Sequence, residues 1–255
     1  MKTMIRGMQI VKSFGAGAEK AKVLDGVSVE IREGEFVSVM GPSGSGKSTL
    51  MYALSGMDSI DGGRVIFEDK ELSALPEQEL ADLRRTRMGF VFQQPTLLKN
   101  LNLLDNIILP SMRDNRKNAS GLVEKARALM QKTGIAELEK RETAQVSGGQ
   151  LQRAGICRAL MGNPQVIFGD EPTGALNSSA AEEIMELLAA INEEGTTVVL
   201  VTHDAKVAAR SGRILFMRDG AIVSELLLPR PGGSGPKDMD SRVKAVLAKM
   251  QELGI

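Results

Sequence analysis

The chain has 255 residues, enough to bury a sizeable core, and its 42% hydrophobic and 25% charged content is that of an ordinary globular protein. Basic and acidic residues number 32 each, and the resulting zero net charge argues against a whole-chain field for drawing in nucleic acid or anionic membrane. The single cysteine, Cys157, excludes an internal disulfide and a cysteine-rich zinc site.

The N-terminal MKTMIRGMQIVKSF carries charge but no following apolar stretch, so it does not read as a secretory signal. Val27-Ser28-Val29-Glu30-Ile31 alternates as a half-buried strand does, and Phe36–Met40 is a short apolar run ending at a glycine. A helix is expected from Thr49 to Ser55. Asp61-Gly62-Gly63 reads as a turn ahead of a strand at Val65-Ile66-Phe67. From about Pro76 to Gly162 the pattern is mostly helical, with Leu122, Val123, Ala126, Leu129 and Met130 at helical spacing between Asn118 and Thr133. Val166–Phe168 and Thr197–Val201 read as buried strands around a helix from about Ser179 to Asn192. Such alternation predicts an α/β fold with a mainly parallel sheet covered on both faces. Pro229 to Pro236 has linker composition, and beyond it Val243, Val246, Leu247, Met250 and Leu253 form one apolar helical stripe expected to fold back on the core. No run of about 18 apolar residues occurs, so no helix is expected to span a bilayer.

Two motifs carry chemistry. Gly41-Pro42-Ser43-Gly44-Ser45-Gly46-Lys47-Ser48 fits the phosphate-binding pattern GxxxxGK[ST], between a predicted strand and a predicted helix that includes Thr49. Its glycines let successive amides point at phosphate oxygens, and the helix N-terminus adds partial positive charge. Lys47 is expected to reach the β- and γ-phosphates, and Ser48 to place its hydroxyl on Mg²⁺. Such a loop needs a carboxylate partner. Asp170, at the end of the strand Val166–Phe168, is the expected Mg²⁺-side acid, and Glu171 beyond it is the expected general base.

Ser147-Gly148-Gly149-Gln150 followed by Leu151-Gln152-Arg153 resembles the signature of ABC ATPases. Other landmarks of that family follow in order: Gln93 after Gly89-Phe90-Val91-Phe92, and His203 in Val201-Thr202-His203-Asp204. The resemblance covers roughly residues 4 to 225. It implies a P-loop cassette with a RecA-like core, an N-terminal antiparallel β layer and a helical subdomain at about 94–162, all within 1–228. Residues 229–237 would be a linker and 238–255 a C-terminal amphipathic helix.

The resemblance implies that ATP and Mg²⁺ are bound and that ATP is hydrolysed. Gln93 would touch Mg²⁺ or the attacking water, and His203 the γ-phosphate. Phe14 stands where the family commonly has a tyrosine that stacks on adenine; a core phenylalanine is the competing reading. In the family the signature faces nucleotide held by a second subunit, so a homodimer or close heterodimer is implied. A separate membrane permease is also implied, placing the chain peripherally on the cytoplasmic face of a bacterial cell membrane, with no nucleic-acid partner. Glu171 to Ser178 is similar to the branch containing macrolide exporters, lipoprotein-release ATPases and antimicrobial-peptide resistance systems. One departure is Asn177, where the family usually has aspartate. The alternative reading is a soluble regulatory ABC ATPase acting on a non-transport partner.

Overall fold

The computed structural model describes residues 2–15, 20–113, 119–228 and 238–255. The linker expected at 229–237 and the helix start expected at Asn118 fall outside those residues. Strands β1 (Thr3–Phe14) and β2 (Ala21–Arg32) pair antiparallel, and β4 (Gly62–Phe67) and β5 (Lys70–Glu71) complete a sheet in the order β2-β1-β4-β5. The alternation along β2 turns Val27, Val29 and Ile31 inward. Gly62 and Gly63, read from sequence as a turn, lie instead inside β4. There the pairing of β1 with β4 shifts register between Met8 and Val11, and Gly63 sits at φ 84. A Cβ on Gly63 would fall 2.2 Å from the Gln9 carbonyl oxygen, so the glycine serves close backbone approach at a bulge.

Among the described residues the second sheet has six strands in the order β10-β9-β3-β8-β7-β6. Strands β3 (Phe36–Met40), β8 (Thr197–Val201), β7 (Val166–Asp170) and β6 (Met88–Phe92) run parallel, as does β9 (Arg213–Arg218) beside β3. Only β10 (Ala221–Leu227) is antiparallel, joined to β9 through Asp219 and Gly220, both at positive φ as a two-residue hairpin turn requires. Strand β6 interrupts the stretch read from sequence as mostly helical. Its pairing with β7 is non-local, and Phe90 stacks on Phe168 with centroids 5.6 Å apart.

Burial on both faces explains the largely apolar runs. Val37, Val39, Phe168, Val199 and Val201 face a core shared with α1 (Lys47–Leu54) and the antiparallel sheet. Phe36, Ile167, Val198 and Leu200 face a second core with α5 (Gly148–Leu160) and α6 (Ser178–Glu193). Helix α2 (Glu77–Arg87) leads directly into β6. Helices α3 (Leu103–Ile108), α4 (Ala119–Lys132) and α5 enclose a third core around Leu103, Ile107, Ala126, Met130 and Cys157. The short α7 (Ala205–Ala208) follows β8.

The final helix, α8 (Met239–Leu253), folds back against Met40, Ala208, Phe216 and Leu228. Val246 is fully buried there, but Leu247, expected within the apolar stripe, is 50% exposed. Val243, Val246, Met250 and Leu253 already fill the face turned to the core, and Leu247 lies at its edge. No helix among the described residues is long and apolar enough to cross a membrane.

Candidate nucleotide site

The parallel register puts the chemistry at one level. Val39, Val201 and Asp170 lie abreast across β3, β8 and β7, so the residues that follow each strand emerge side by side. After β3 comes the loop Gly41–Ser48, and after β7 and β8 come Glu171 and His203. This edge, beyond the carboxyl ends of the strands, is where open α/β sheets bind ligands.

The loop is held from below. Gly41 has no space for a side chain, since a Cβ would fall 2.1 Å from the Met217 carbonyl oxygen of β9. The hairpin turn braces it further, the Gly220 amide donating to the Ser45 carbonyl at 3.2 Å. Gly46, at φ 96, is the N-cap of α1 and supplies no side-chain cap. The first amides of α1 are thus left with the unmatched donors that suit an anion. Lys47 curls over the loop, its ammonium donating to the Gly41 and Pro42 carbonyls at 2.9 and 2.8 Å. Burial pushes that ammonium below the ordinary lysine range, opposed by the charges of Glu171 and Asp170.

Asp170 receives two hydroxyls, Ser48 Oγ on Oδ1 at 2.8 Å and Tyr52 Oη on Oδ2 at 2.7 Å. Burial, with the hydrogen bond and charge of Asp170, holds the Tyr52 phenol well above its ordinary range, so it remains a donor. Nothing in the sequence alone signals this role. Tyr52 reaches Asp170 because it lies one helical turn after Ser48 on α1. Glu171 takes a left-handed backbone conformation, φ 46, and its amide donates to the Val201 carbonyl at 2.9 Å. Its carboxylate Oε1 lies 2.8 Å from His203 Nδ1; a carboxylate accepts, so the imidazole donates.

A cleft of about 820 Å³ is lined by Phe14, Val23, the loop residues Gly41–Gly44 and Gly46–Thr49, Glu171 and His203. Phe14 is 47% exposed at the end of β1, which removes the core reading, and Val23 on neighbouring β2 joins it unforeseen. Ser45, within the loop, is buried and does not line the cleft. Gln93 is exposed just past β6, beside Glu171: a Cβ on Gly174 would meet Gln93 Nε2 at 2.8 Å and Glu171 Oε2 at 3.3 Å.

The signature residues are elsewhere. Ser147 is the N-cap of α5 in a capping box with Gln150: the Gln150 amide donates to Ser147 Oγ, and the Ser147 amide to Gln150 Oε1 at 2.8 Å. Gly148 and Gly149 sit against Leu176 and Ala180, and none of the four lines the cleft. Asn177 is the N-cap of α6, accepting from the Ala180 amide at 2.9 Å. Asparagine and aspartate cap about equally well, so the substitution keeps the local structure. Gln152, deeply buried, donates to the Phe92 carbonyl at 2.9 Å and ties α5 to the segment carrying Gln93.

The chemistry of these donors fits a nucleoside triphosphate with a hard cation. Free helix amides and an ammonium face the phosphate side, and a hydroxyl and a carboxylate supply oxygens of the kind Mg²⁺ accepts alongside phosphate. Among the described residues no group of three His, Cys, Asp or Glu forms a metal cage.

Comparison with known proteins points the same way. A family model described as "ABC transporter" matches residues 24–174. The ABC transporter ATP-binding protein MJ0796 of Methanocaldococcus jannaschii is 44% identical over 227 residues, which cover 87% of this chain and 96% of that protein. The macrolide export ATP-binding/permease protein MacB of Aggregatibacter actinomycetemcomitans is 41% identical over 217 residues, 85% of this chain; the match spans only 34% of MacB. Among solved structures, the dimeric post-hydrolysis state of the MJ0796 cassette bound to ADP and Pi superposes with a TM-score of 0.83 at 38% identity, covering 89% of this chain and 99% of that one. The parallel core, the antiparallel layer, the loop at Gly41–Ser48 and these matches together show that the chain belongs to the ABC transporter family, as one of its ATP-binding cassettes.

Proposed function

We propose that this chain binds ATP with Mg²⁺, hydrolyses it, and pairs with a second cassette around two nucleotides to drive a membrane permease. The observation that carries this reading is the convergence of Lys47, Ser48, Asp170, Glu171 and His203 on one sheet edge, with Glu171 and His203 in hydrogen-bond contact.

Each residue is given the role that its position and chemistry support. The amides of Gly41–Thr49 and the Lys47 ammonium bind the phosphates, and Phe14 stacks on the base. Ser48 and Asp170 hold Mg²⁺, assisted by Gln93; the cation, when bound, offsets charge on the phosphoryl oxygens. Glu171 takes a proton from the attacking water, with His203 orienting its carboxylate and contacting the γ-phosphate.

Pairing is supported by the signature helix. The capping box occupies the Ser147 and Gln150 amides, which leaves those of Gly148 and Gly149 to face a phosphate, and none of these residues lines its own chain's cleft. A second chain, arranged head to tail, would supply what each site lacks. The dimeric state of the MJ0796 structures supports this arrangement.

The cassette is read as residues 1–228, with helices of the 94–162 region facing the permease and 229–237 leading to the last helix. MacB carries its permease in the same chain, about three times as long as the matched segment. By analogy, this chain serves export, lipoprotein release or antimicrobial-peptide resistance from the cytoplasmic face of the membrane.

The test is Glu171→Gln, an isosteric change that removes the base. ATP hydrolysis should fall by at least a factor of about 100, within the range general-base catalysis supplies. Light scattering should then show an ATP-dependent dimer that persists because turnover has stopped. Unchanged hydrolysis would remove Glu171 from its role, and a monomer at saturating ATP would remove the sandwich.

A further inference from the structure

Phe14 is half exposed, the last residue of β1, with the cleft on one side. A phenyl ring so placed has little packing of its own to fix it. Two residues earlier on the same strand, Lys12 is 7% exposed, and its ammonium lies 5.1 Å from the centre of the Phe14 ring. That ammonium is itself anchored, donating to Asp58 Oδ1 at 2.8 Å, the Ser59 carbonyl at 2.6 Å and Ser59 Oγ at 3.4 Å. Asp58 and Ser59 belong to the connection between α1 and β4, and α1 is the helix that begins at the phosphate loop.

We propose that Lys12 is a positioning residue for the base end of the nucleotide site, holding the Phe14 ring by a cation–π contact and tying it to the far end of the phosphate-loop helix. This rests on the reading of Phe14 as the stacking surface for the base. Three acceptors match the three donors of the ammonium, so the charge is fixed in place and the ring is drawn to a defined point. The stacking surface is thereby ordered before nucleotide arrives, and binding need not meet the cost of immobilising it. Lys12 does not line the cleft, so its effect is expected on ATP affinity and not on the chemical step.

The test uses the full chain in four forms: unaltered, Lys12→Met, Phe14→Ala and the double variant, with Lys12→Arg as the charge-retaining control. Methionine keeps the length and apolar stem of the buried side chain while deleting the cation. Steady-state ATPase measurements give the half-saturating ATP concentration and kcat for each, and ATP-induced thermal shifts give binding independently of turnover. Lys12→Met is expected to raise half-saturating ATP about fivefold with kcat retained, and Lys12→Arg to restore most of it. In the Phe14→Ala background the same change should have no further effect. A Lys12→Met shift of equal size with Phe14 absent overturns the proposal, because the lysine would then act by another route. Lys12→Met with unaltered ATP affinity, alongside a Phe14→Ala variant that loses affinity, overturns it while leaving the stacking reading standing. If Phe14→Ala leaves affinity unchanged, stacking and the role of Lys12 fall together.

Discussion

Tyr52→Phe removes one oxygen from the molecule and isolates a single interaction. The ring packs against the main core and stays in place, while the 2.7 Å hydrogen bond to Asp170 Oδ2 is lost. A hydrogen bond to a charged partner contributes about 1.5–3 kcal/mol. Asp170 is only partly buried, so water can restore some of that, and the lower figure of about 1.5 kcal/mol is the appropriate one. Asp170 would then be held by Ser48 alone, whose hydroxyl is the group expected to turn to Mg²⁺. The free energy should therefore appear in cation binding, as a roughly tenfold rise in the Mg²⁺ concentration giving half-maximal ATPase rate at saturating ATP. Stability should change little, since no apolar contact is removed. An unchanged Mg²⁺ requirement would refute the reasoning and show that Tyr52 merely finds a convenient acceptor. A collapse in melting temperature would show that the hydroxyl supports the fold and not the site.

Two further changes probe the helix termini and the core. Asn177→Ala deletes the cap of α6 and should cost about 1 kcal/mol, lowering the melting temperature by about 2–4 °C, whereas Asn177→Asp should hold it. Equal losses in both variants would mean that capping is not what Asn177 contributes. Cys157 is fully buried, and burial pushes its thiol up to about 11. The native protein at pH 8 should therefore resist iodoacetamide, with mass spectrometry finding stoichiometric alkylation only after denaturation.

Much of the fold was legible because its signals are local. The runs Phe36–Met40 and Thr197–Val201 are buried throughout, and apolar but for Ser38 and Thr197, since both faces of the parallel sheet are covered, and their predicted limits match the strands. The helix predicted at Ser179–Asn192 is α6 to within a residue at each end. What escaped the sequence reading depends on partners far along the chain. Strand β6 is defined by its pairing with β7, about 80 residues later, and Gly63 by the carbonyls of β1 above it. The hairpin β9–β10 carries an Asp-Gly turn signal that could have been used. At the site, the phosphate loop and the acidic pair were legible as motifs, because their chemistry demands fixed residue types, whereas His203, a lone histidine after an apolar strand, was legible only through the family resemblance. Val23 and Tyr52 were not, since any residue of suitable shape or reach could stand there, and only the packing of β2 and α1 brings these two in.

The row formed by Val39, Val201 and Asp170 makes the site a matter of alignment between three strands and not of loop shape. Sliding β8 by one residue would carry His203 about 3.3 Å along its axis and exchange its inward and outward faces. The imidazole would leave Glu171, and Val199 and Val201 would trade cores with Val198 and Leu200. A single insertion inside β8 should thus abolish function and stability together. At the opposite edge the return from α6 to β8 is tied by Asn192 Nδ2, which donates to the Thr196 carbonyl at 2.8 Å, and by the Lys132–Glu194 ion pair. Exposed Gly195, between those ties and outside the strand pairs, offers a place to attach a label or a tether. The molecule is in this sense one-sided, with the register of three strands meeting at one edge and an exposed turn at the other.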